Sequence, residues 1–122
     1  MRLWFSVLGL LLPLQVIGDE PRIRMLVQSS PLAGFRYGEG AEVWPLLREG
    51  YALDLVPEPG NPHDPDAVRV EWRGRKLGYV PRRQNAALAW GMQRGTPLRA
   101  RLSRLGEHPN PARRIEFEVY IE

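Results

Sequence analysis

Apolar and polar residues alternate over short stretches of the chain, and this two-residue period is typical of strands that bury one face. The clearest stretch comes last, where Ile115, Phe117, Val119 and Ile121 share one side. Similar stretches occur earlier, at residues 23–27, 51–55, 68–72, 76–80 and 98–102. The pattern therefore predicts six short strands, and we expect Ile115, Phe117, Val119 and Ile121 to point inward.

Two further stretches favour helices. Pro45 is tolerated in a first helical turn, and Gly50 can close a short helix over residues 45–49. Residues 84–94 contain good helix formers and are followed by Gly95, in the position of a C-terminal cap. Twelve prolines and twelve glycines indicate many turns between short elements. We expect a mainly β fold: a small, closed, six-stranded antiparallel β-barrel with two short helices, since closure removes exposed strand edges.

The first eighteen residues, MRLWFSVLGLLLPLQVIG, differ from the rest of the chain. One arginine precedes an apolar run over residues 3–12, and Gly18 stands where a signal peptide has a small residue before its cleavage site. The run is about half the length of a membrane-spanning helix, so no lasting membrane span is expected after processing. Residues 1–18 thus predict a signal peptide and export to the periplasm or the exterior. The alternatives are an N-terminal helix that packs on the domain or a misassigned start codon, and in either case the protein would be cytoplasmic.

Length and composition exclude several classes of function. The 122 residues leave room for one domain, too little for an ATPase engine beside a binding module. With no cysteine and two histidines, the chain offers no disulfide framework and little for a metal site, so we expect neither metal nor cofactor. It contains no Gly-x-x-x-x-Gly-Lys phosphate loop and no Gly-x-Ser-x-Gly elbow. His63, Asp64 and Asp66 offer few ligands for a two-metal nuclease, so no catalysis is expected.

Positive charge is concentrated in the second half of the chain. Residues 1–68 hold 5 Arg and 9 Asp or Glu, a net charge of −4, whereas residues 69–122 hold 12 Arg or Lys and 5 Glu, a net charge of +7. Sixteen of the seventeen cations are arginine, which binds phosphate through two hydrogen bonds and stacks on bases. The second half can therefore supply a basic face, although a GC-rich genome would produce the same preference for arginine.

Three stretches, in this order and at this spacing, resemble the HIRAN domain family: LAGFRY at residues 32–37, EPGNPHDPDAVRV at residues 58–70 and LGYVPR at residues 77–82. The resemblance covers roughly residues 22–122. It implies a modified OB-type barrel of six strands with two helices. For the best understood members it implies binding of single-stranded DNA at a free 3′ end.

The resemblance also implies a nucleic-acid pocket, whose residues here would be Arg36, Tyr37, Asn61, His63, Asp64, Tyr79 and Arg82. In that pocket the rings of Tyr37, His63 and Tyr79 would stack on bases, and Arg36 and Arg82 would contact phosphates. Asp64 would accept a hydrogen bond from a free 3′-hydroxyl and repel a phosphate there. One position departs from the family, because His63 stands where an aromatic residue, often tyrosine, is usual.

Each of these residues also has a purely structural interpretation. Asn61 and Asp64 can bond to nearby backbone N–H groups and build a rigid turn, and Tyr79 can be a half-buried strand residue. The expected function is non-catalytic binding of single-stranded nucleic acid ends. A second class of function stays open because a fold does not fix its ligand: an exported envelope or periplasmic barrel that binds another ligand or an unknown protein partner.

Overall fold

The computed structural model describes residues 23–122, so the predicted signal peptide lies outside the described residues. The strands are β1 (Met25–Pro31), β2 (Ala52–Pro57), β3 (Val68–Trp72), β4 (Arg75–Tyr79), β5 (Leu98–Leu105) and β6 (Ile115–Ile121). The α-helices are α1 (Gly40–Val43) and α2 (Ala86–Gln93). Short 3-10 turns occupy Phe35–Tyr37, Trp44–Leu46, Arg82–Gln84 and Pro111–Arg113.

The strands form one sheet in the order β1-β6-β5-β2-β3-β4, and each neighbouring pair is antiparallel. Just after β1, Ala33 makes an isolated bridge to Tyr79 of β4, with N–O distances of 2.9 and 2.8 Å. Within the described residues, this bridge is the only strand-type pairing between the two ends of the sheet. The mainly β fold of six antiparallel strands and two helices is confirmed, and the closed barrel stays a prediction.

The core is one cluster of buried side chains from the strands, the segments between them and Leu88 of α2. In β6 the side chains of Ile115, Phe117 and Val119 are fully buried, as the alternating pattern predicted. Ile121 is only partly buried, because it pairs with Met25 and Leu98 at the outer end of the strands. The buried side chains that surround them include Leu32, Val68, Val70, Leu77, Leu88 and Leu102.

The predicted buried face of the first strand is wrong. Met25 is 64% exposed and Val27 is 43% exposed, and Ile23 precedes the strand altogether. Two structural features explain this result. β1 is an edge strand, and its register with β6 shifts between Leu26 and Gln28, so the alternation of faces is interrupted where the apolar residues occur.

The helix predicted over residues 45–49 is also wrong. The α-helix lies earlier, at Gly40–Val43, and Pro45 is the second residue of a 3-10 turn, Trp44–Leu46. The second predicted helix is present, although it starts at Ala86, and Gly95 follows it in the left-handed region with φ of 84°. No helix in residues 23–122 is long and apolar enough to cross a membrane.

Candidate functional site

The loop between β2 and β3, which we call the Asp64 loop (residues 58–67), is a rigid turn built by its own side chains. The Oδ1 atom of Asn61 accepts the backbone N–H groups of His63 and Asp64, at 2.8 and 3.2 Å. The Oδ1 atom of Asp64 accepts the N–H of Asp66 at 2.9 Å. Backbone bonding of Glu58 N–H to the Ala67 carbonyl, at 2.8 Å, closes the loop. The structural interpretation of Asn61 and Asp64 is therefore confirmed.

The second carboxylate oxygen of Asp64 reaches beyond the loop. It accepts a hydrogen bond from Asn85 Nδ2 at 2.8 Å and a longer one from Arg82 Nε at 3.4 Å. Arg82 also donates to the carbonyl oxygen of His63. The hydrogen bonds from Asn85 and the Asp66 N–H lower the pKa of Asp64, with help from Arg82 and against a smaller opposing effect of desolvation. Asp64 is thus an ionised acceptor beside a guanidinium whose side chain is 71% exposed.

Glu58 connects the Asp64 loop to the sheet. Its Oε1 atom accepts hydrogen bonds from Asn61 Nδ2 at 3.0 Å and from the Tyr79 hydroxyl at 2.9 Å. Its Oε2 atom forms an ion pair with Arg69 at 2.6 Å. Desolvation opposes ionisation of Glu58, but these hydrogen bonds and the nearby positive charges outweigh it and lower its pKa. The Nζ of Lys76 lies 4.5 Å from the ring centroid of Tyr79, so this ring is fixed at both its hydroxyl and one face.

Arg36 and Tyr37 lie on the 3-10 turn after β1, which the bridge between Ala33 and Tyr79 holds beside β4. The two side chains contact each other: Arg36 donates to the Tyr37 hydroxyl at 2.7 Å, and its guanidinium carbon lies 4.8 Å from the ring centroid. Tyr37 is 74% exposed. A cavity of about 280 Å³ separates this turn from residues 110–112. The turn therefore presents a cation and a ring to solvent at the edge of a cavity.

The structure joins five of the seven predicted site residues through one hydrogen-bonded group around Glu58 and Asp64: Asn61, His63, Asp64, Tyr79 and Arg82. Arg36 and Tyr37 form a separate pair on the neighbouring turn. Across the described part of the chain, no hydrogen bond, ion pair or ring contact links that pair to the other five. The site residues thus form two adjacent groups, connected by β4.

Sequence reasoning missed four residues of this arrangement: Glu58, Arg69, Lys76 and Asn85. Glu58 stands at the start of the resembling stretch, three residues before Asn61, so its position offered a signal. Asn85 directly precedes α2, where asparagine is a common cap, and its side chain instead bonds to Asp64. In residues 23–122, no group of three or more His, Asp or Glu side chains is arranged to hold a metal ion.

Comparison with known proteins matches residues 25–122 to the model of the HIRAN domain family. A crystal structure of a protein from Lactobacillus plantarum has a TM-score of 0.70 and 27% identity, and the match covers 81% of this chain and 95% of that one. The HIRAN domain of human HLTF has a TM-score of 0.61 over 80% of this chain and 78% of its own, and its 20% identity supports a likeness of fold alone.

Among curated proteins, a Fanconi-associated nuclease 1 homolog from Oryza sativa subsp. japonica is 35% identical over 68 residues. The match covers 52% of this chain and 7% of that protein. The chain therefore spans only a small fraction of the length of this relative.

Proposed function

This chain belongs to the HIRAN domain family, and we propose on that basis that it is a non-catalytic module that binds single-stranded nucleic acid, with a preference for DNA that has a free 3′ end. One observation carries the proposal: the ionised carboxylate of Asp64 lies beside the exposed guanidinium of Arg82, on a loop whose shape is already fixed. Such a pair offers an acceptor for a hydroxyl and a cation for a phosphate. A nuclease homolog among the relatives supports nucleic acid as the ligand class.

The hydrogen bonds of Asp64 leave capacity for a ligand. A carboxylate has about four acceptor sites, and the donors from the protein are Asp66 N–H, Asn85 Nδ2 and Arg82 Nε. The bond from Arg82 is long, at 3.4 Å, and therefore weak. Arg82 also donates to the His63 carbonyl, but a guanidinium has five N–H groups, so others can contact a phosphate while the other two donors to Asp64 keep the loop in place. A 3′-hydroxyl would then donate to Asp64, whereas a 3′-phosphate would meet a like charge.

Aromatic rings beside this pair provide the contacts for bases. His63 is exposed on the Asp64 loop, and Tyr37 is exposed on the turn after β1. Stacking on such rings contributes about 1 to 3 kcal/mol per base and tolerates any sequence. The proposal includes the closed barrel, because the bridge between Ala33 and Tyr79 would keep the two groups of site residues at a constant separation. It also includes the absence of catalysis, so DNA and ATP should both remain intact with the purified protein.

The proposal is tested with one short oligonucleotide that ends in either a 3′-hydroxyl or a 3′-phosphate. The hydroxyl form should bind more tightly, by on the order of 1 to 3 kcal/mol, because the phosphate form loses a hydrogen bond to a charged group. Asp64→Asn should shrink this difference. Asp66→Asn is the matched control, since it removes the same charge from the same loop at a side chain that makes no hydrogen bond or ion pair in residues 23–122.

Arg82→Ala should behave differently from Asp64→Asn. It should weaken both oligonucleotides alike and reduce the dependence of affinity on salt, because a phosphate contact releases counterions without distinguishing the end. Equal and weak binding of both oligonucleotides by the wild type, unchanged in Asp64→Asn, would reject end recognition and leave the Asp64 loop as a structural turn.

A further inference from the structure

A second cavity, of about 450 Å³, lies away from the Asp64 loop. It is lined by Phe35, Ala41, Trp44, Glu107, His108, Pro109 and Arg114. We propose that this cavity, which we call the Trp44 cavity, holds a purine base of the bound strand, upstream of the terminal nucleotide. The inference rests on the proposed function and adds a position at which that function would acquire a base preference.

Two aromatic side chains form one wall of the Trp44 cavity. Phe35 and Trp44 meet edge to face, with ring centroids 5.9 Å apart and planes at 74°. Phe35 is buried, and a Cβ atom on Gly40 would come within 3 Å of its ring carbons, so the glycine leaves the space that this ring occupies. Trp44 is only partly buried and lines the cavity. A fixed indole with an accessible surface is a stacking platform for a planar base.

The opposite wall is the Gly106 loop (residues 106–114), whose shape is fixed by its own hydrogen bonds. The N–H of Gly106 bonds to the carbonyl of Arg114 at 3.0 Å and closes the loop. Within it, Arg114 Nε donates to the carbonyl of His108 at 2.7 Å, and the N–H of Asn110 donates to His108 Nδ1 at 2.9 Å. The wall is therefore formed before a ligand arrives, and no ordering of the loop opposes binding.

The polar groups of the Trp44 cavity fit a base better than a purely apolar ligand. Because Nδ1 of His108 accepts a hydrogen bond, the neutral imidazole carries its proton on Nε2 and can donate there. Glu107 supplies an acceptor for an exocyclic amino group, and Arg114 retains its terminal N–H groups for a ring nitrogen or a phosphate. An apolar side chain would offer no partner to the Glu107 carboxylate or to the remaining N–H groups of His108 and Arg114. A purine offers both donors and acceptors and a larger stacking area than a pyrimidine.

The Trp44 cavity also adjoins the proposed path of the strand. Phe35 lines both this cavity and the smaller cavity beside Arg36 and Tyr37, so the two cavities share one buried residue. A strand that contacts Arg36 and Tyr37 would reach the Trp44 cavity with its next nucleotides. This continuity favours a base of the strand over a free nucleotide.

The test compares a dinucleotide and a hexanucleotide, both with a free 3′-hydroxyl. The hexanucleotide should bind about tenfold more tightly, the gain expected from one additional stacked base. An abasic site moved along the hexanucleotide should remove this gain at one internal position, where adenine should bind better than thymine. Trp44→Leu should abolish the gain and leave dinucleotide binding unchanged, and Trp44→Phe should restore part of it. Glu107→Gln, on an exposed loop, should reduce the adenine preference without the risk to folding that Trp44→Leu carries.

Trp90→Leu is the matched control, because Trp90 is an exposed tryptophan on α2 that lines neither cavity. The inference would be overturned if the protein still preferred a 3′-hydroxyl but bound the hexanucleotide no more tightly than the dinucleotide. That result would leave the proposed function intact. Binding of free dAMP to the dinucleotide-saturated protein would also overturn it if dAMP bound as tightly as the hexanucleotide. The cavity would then serve free nucleotides. Failure of every oligonucleotide to bind would instead overturn the proposed function.

Discussion

The two loops that border the candidate site are both rich in proline, yet they are held in different ways. In the Asp64 loop, two carboxylates accept hydrogen bonds from residues 11 to 21 positions away in the chain, namely Arg69, Arg82, Asn85 and Tyr79. In the Gly106 loop, the side-chain bonds of His108, Asn110 and Arg114 span only 2 to 6 positions. The first loop is therefore coupled to β4 and α2, whereas the second depends mainly on itself.

This difference has a consequence for the binding site. A change in the Asp64 loop should spread to the sheet and the helix, because its contacts reach them. A change in the Gly106 loop should remain local and alter the cavity wall with little effect on the domain. The proposed recognition of the strand end thus depends on the global fold, and the proposed upstream base position depends on a local turn.

The largest expected effect follows from removing the hydrogen bond that connects the Asp64 loop to the start of α2. Asn85 is only 3% exposed and donates to the ionised Asp64 at 2.8 Å. Asn85→Ala should lower the free energy of unfolding by about 2 kcal/mol, since hydrogen bonds to charged groups contribute about 1.5 to 3 kcal/mol. Urea denaturation measures this change. Gln93→Ala, at an exposed position in the helix that Asn85 precedes, is the control. Equal stability of the two variants would contradict the coupling.

The same contrast explains how much the sequence predicted. Three local signals were reliable: the alternation in β6, the turn built by Asn61 and Asp64, and the cap at Gly95 depend on residues near one another, and all appear in the structure. Long-range pairings could not be predicted. The partners of Glu58 and Asn85 lie far along the chain, and nothing in the residue types specified which donor would reach which carboxylate.

The failure at β1 has a similar origin. The alternation of Ile23, Met25 and Val27 is a local pattern, but burial of that face requires a neighbouring element that covers it. β1 is an edge strand with a register shift, so three consecutive apolar side chains, Met25, Leu26 and Val27, are exposed. Likewise, the seven site residues were predicted as one pocket, whereas Arg36 and Tyr37 form their own pair on a turn beside β4.

A smaller effect is expected from removing a side-chain hydrogen bond within the Gly106 loop. Asn110 Oδ1 accepts the N–H of Ala112 at 3.0 Å and caps the turn Pro111–Arg113. Asn110→Ala should cost about 1 kcal/mol, the usual value of such a cap. It should also leave recognition of the 3′ end unchanged, as titration with the hydroxyl and phosphate oligonucleotides would measure. A loss of stability as large as that of Asn85→Ala would remove the distinction between the two loops.

The smallest expected effect is the response of the Asp64 loop to acid. The pKa of Glu58 lies below its ordinary value of 4.5 and that of Asp64 below 3.8, so both carboxylates bind protons less readily in the folded state than in the unfolded state. Their contribution to stability is therefore complete above these ordinary values. It decreases as pH falls below them and is lost once pH passes through the lowered pKa of the folded state.

Backbone amide resonances separate the two loops in a single NMR titration. The N–H of Asp66 donates to the Asp64 carboxylate, so its resonance should move as that group gains a proton, at a pH below 3.8. The N–H of Ala112 donates to the amide oxygen of Asn110, which gains no proton in this range. Its resonance should show no transition at that midpoint. In Asn85→Ala the midpoint for Asp66 should rise, because the strongest contribution to the lowered pKa is gone. A midpoint in the wild type at or above the ordinary Asp pKa of 3.8 would mean that these donors do not bind the Asp64 carboxylate in solution. The contrast between a coupled and an independent loop would then no longer hold.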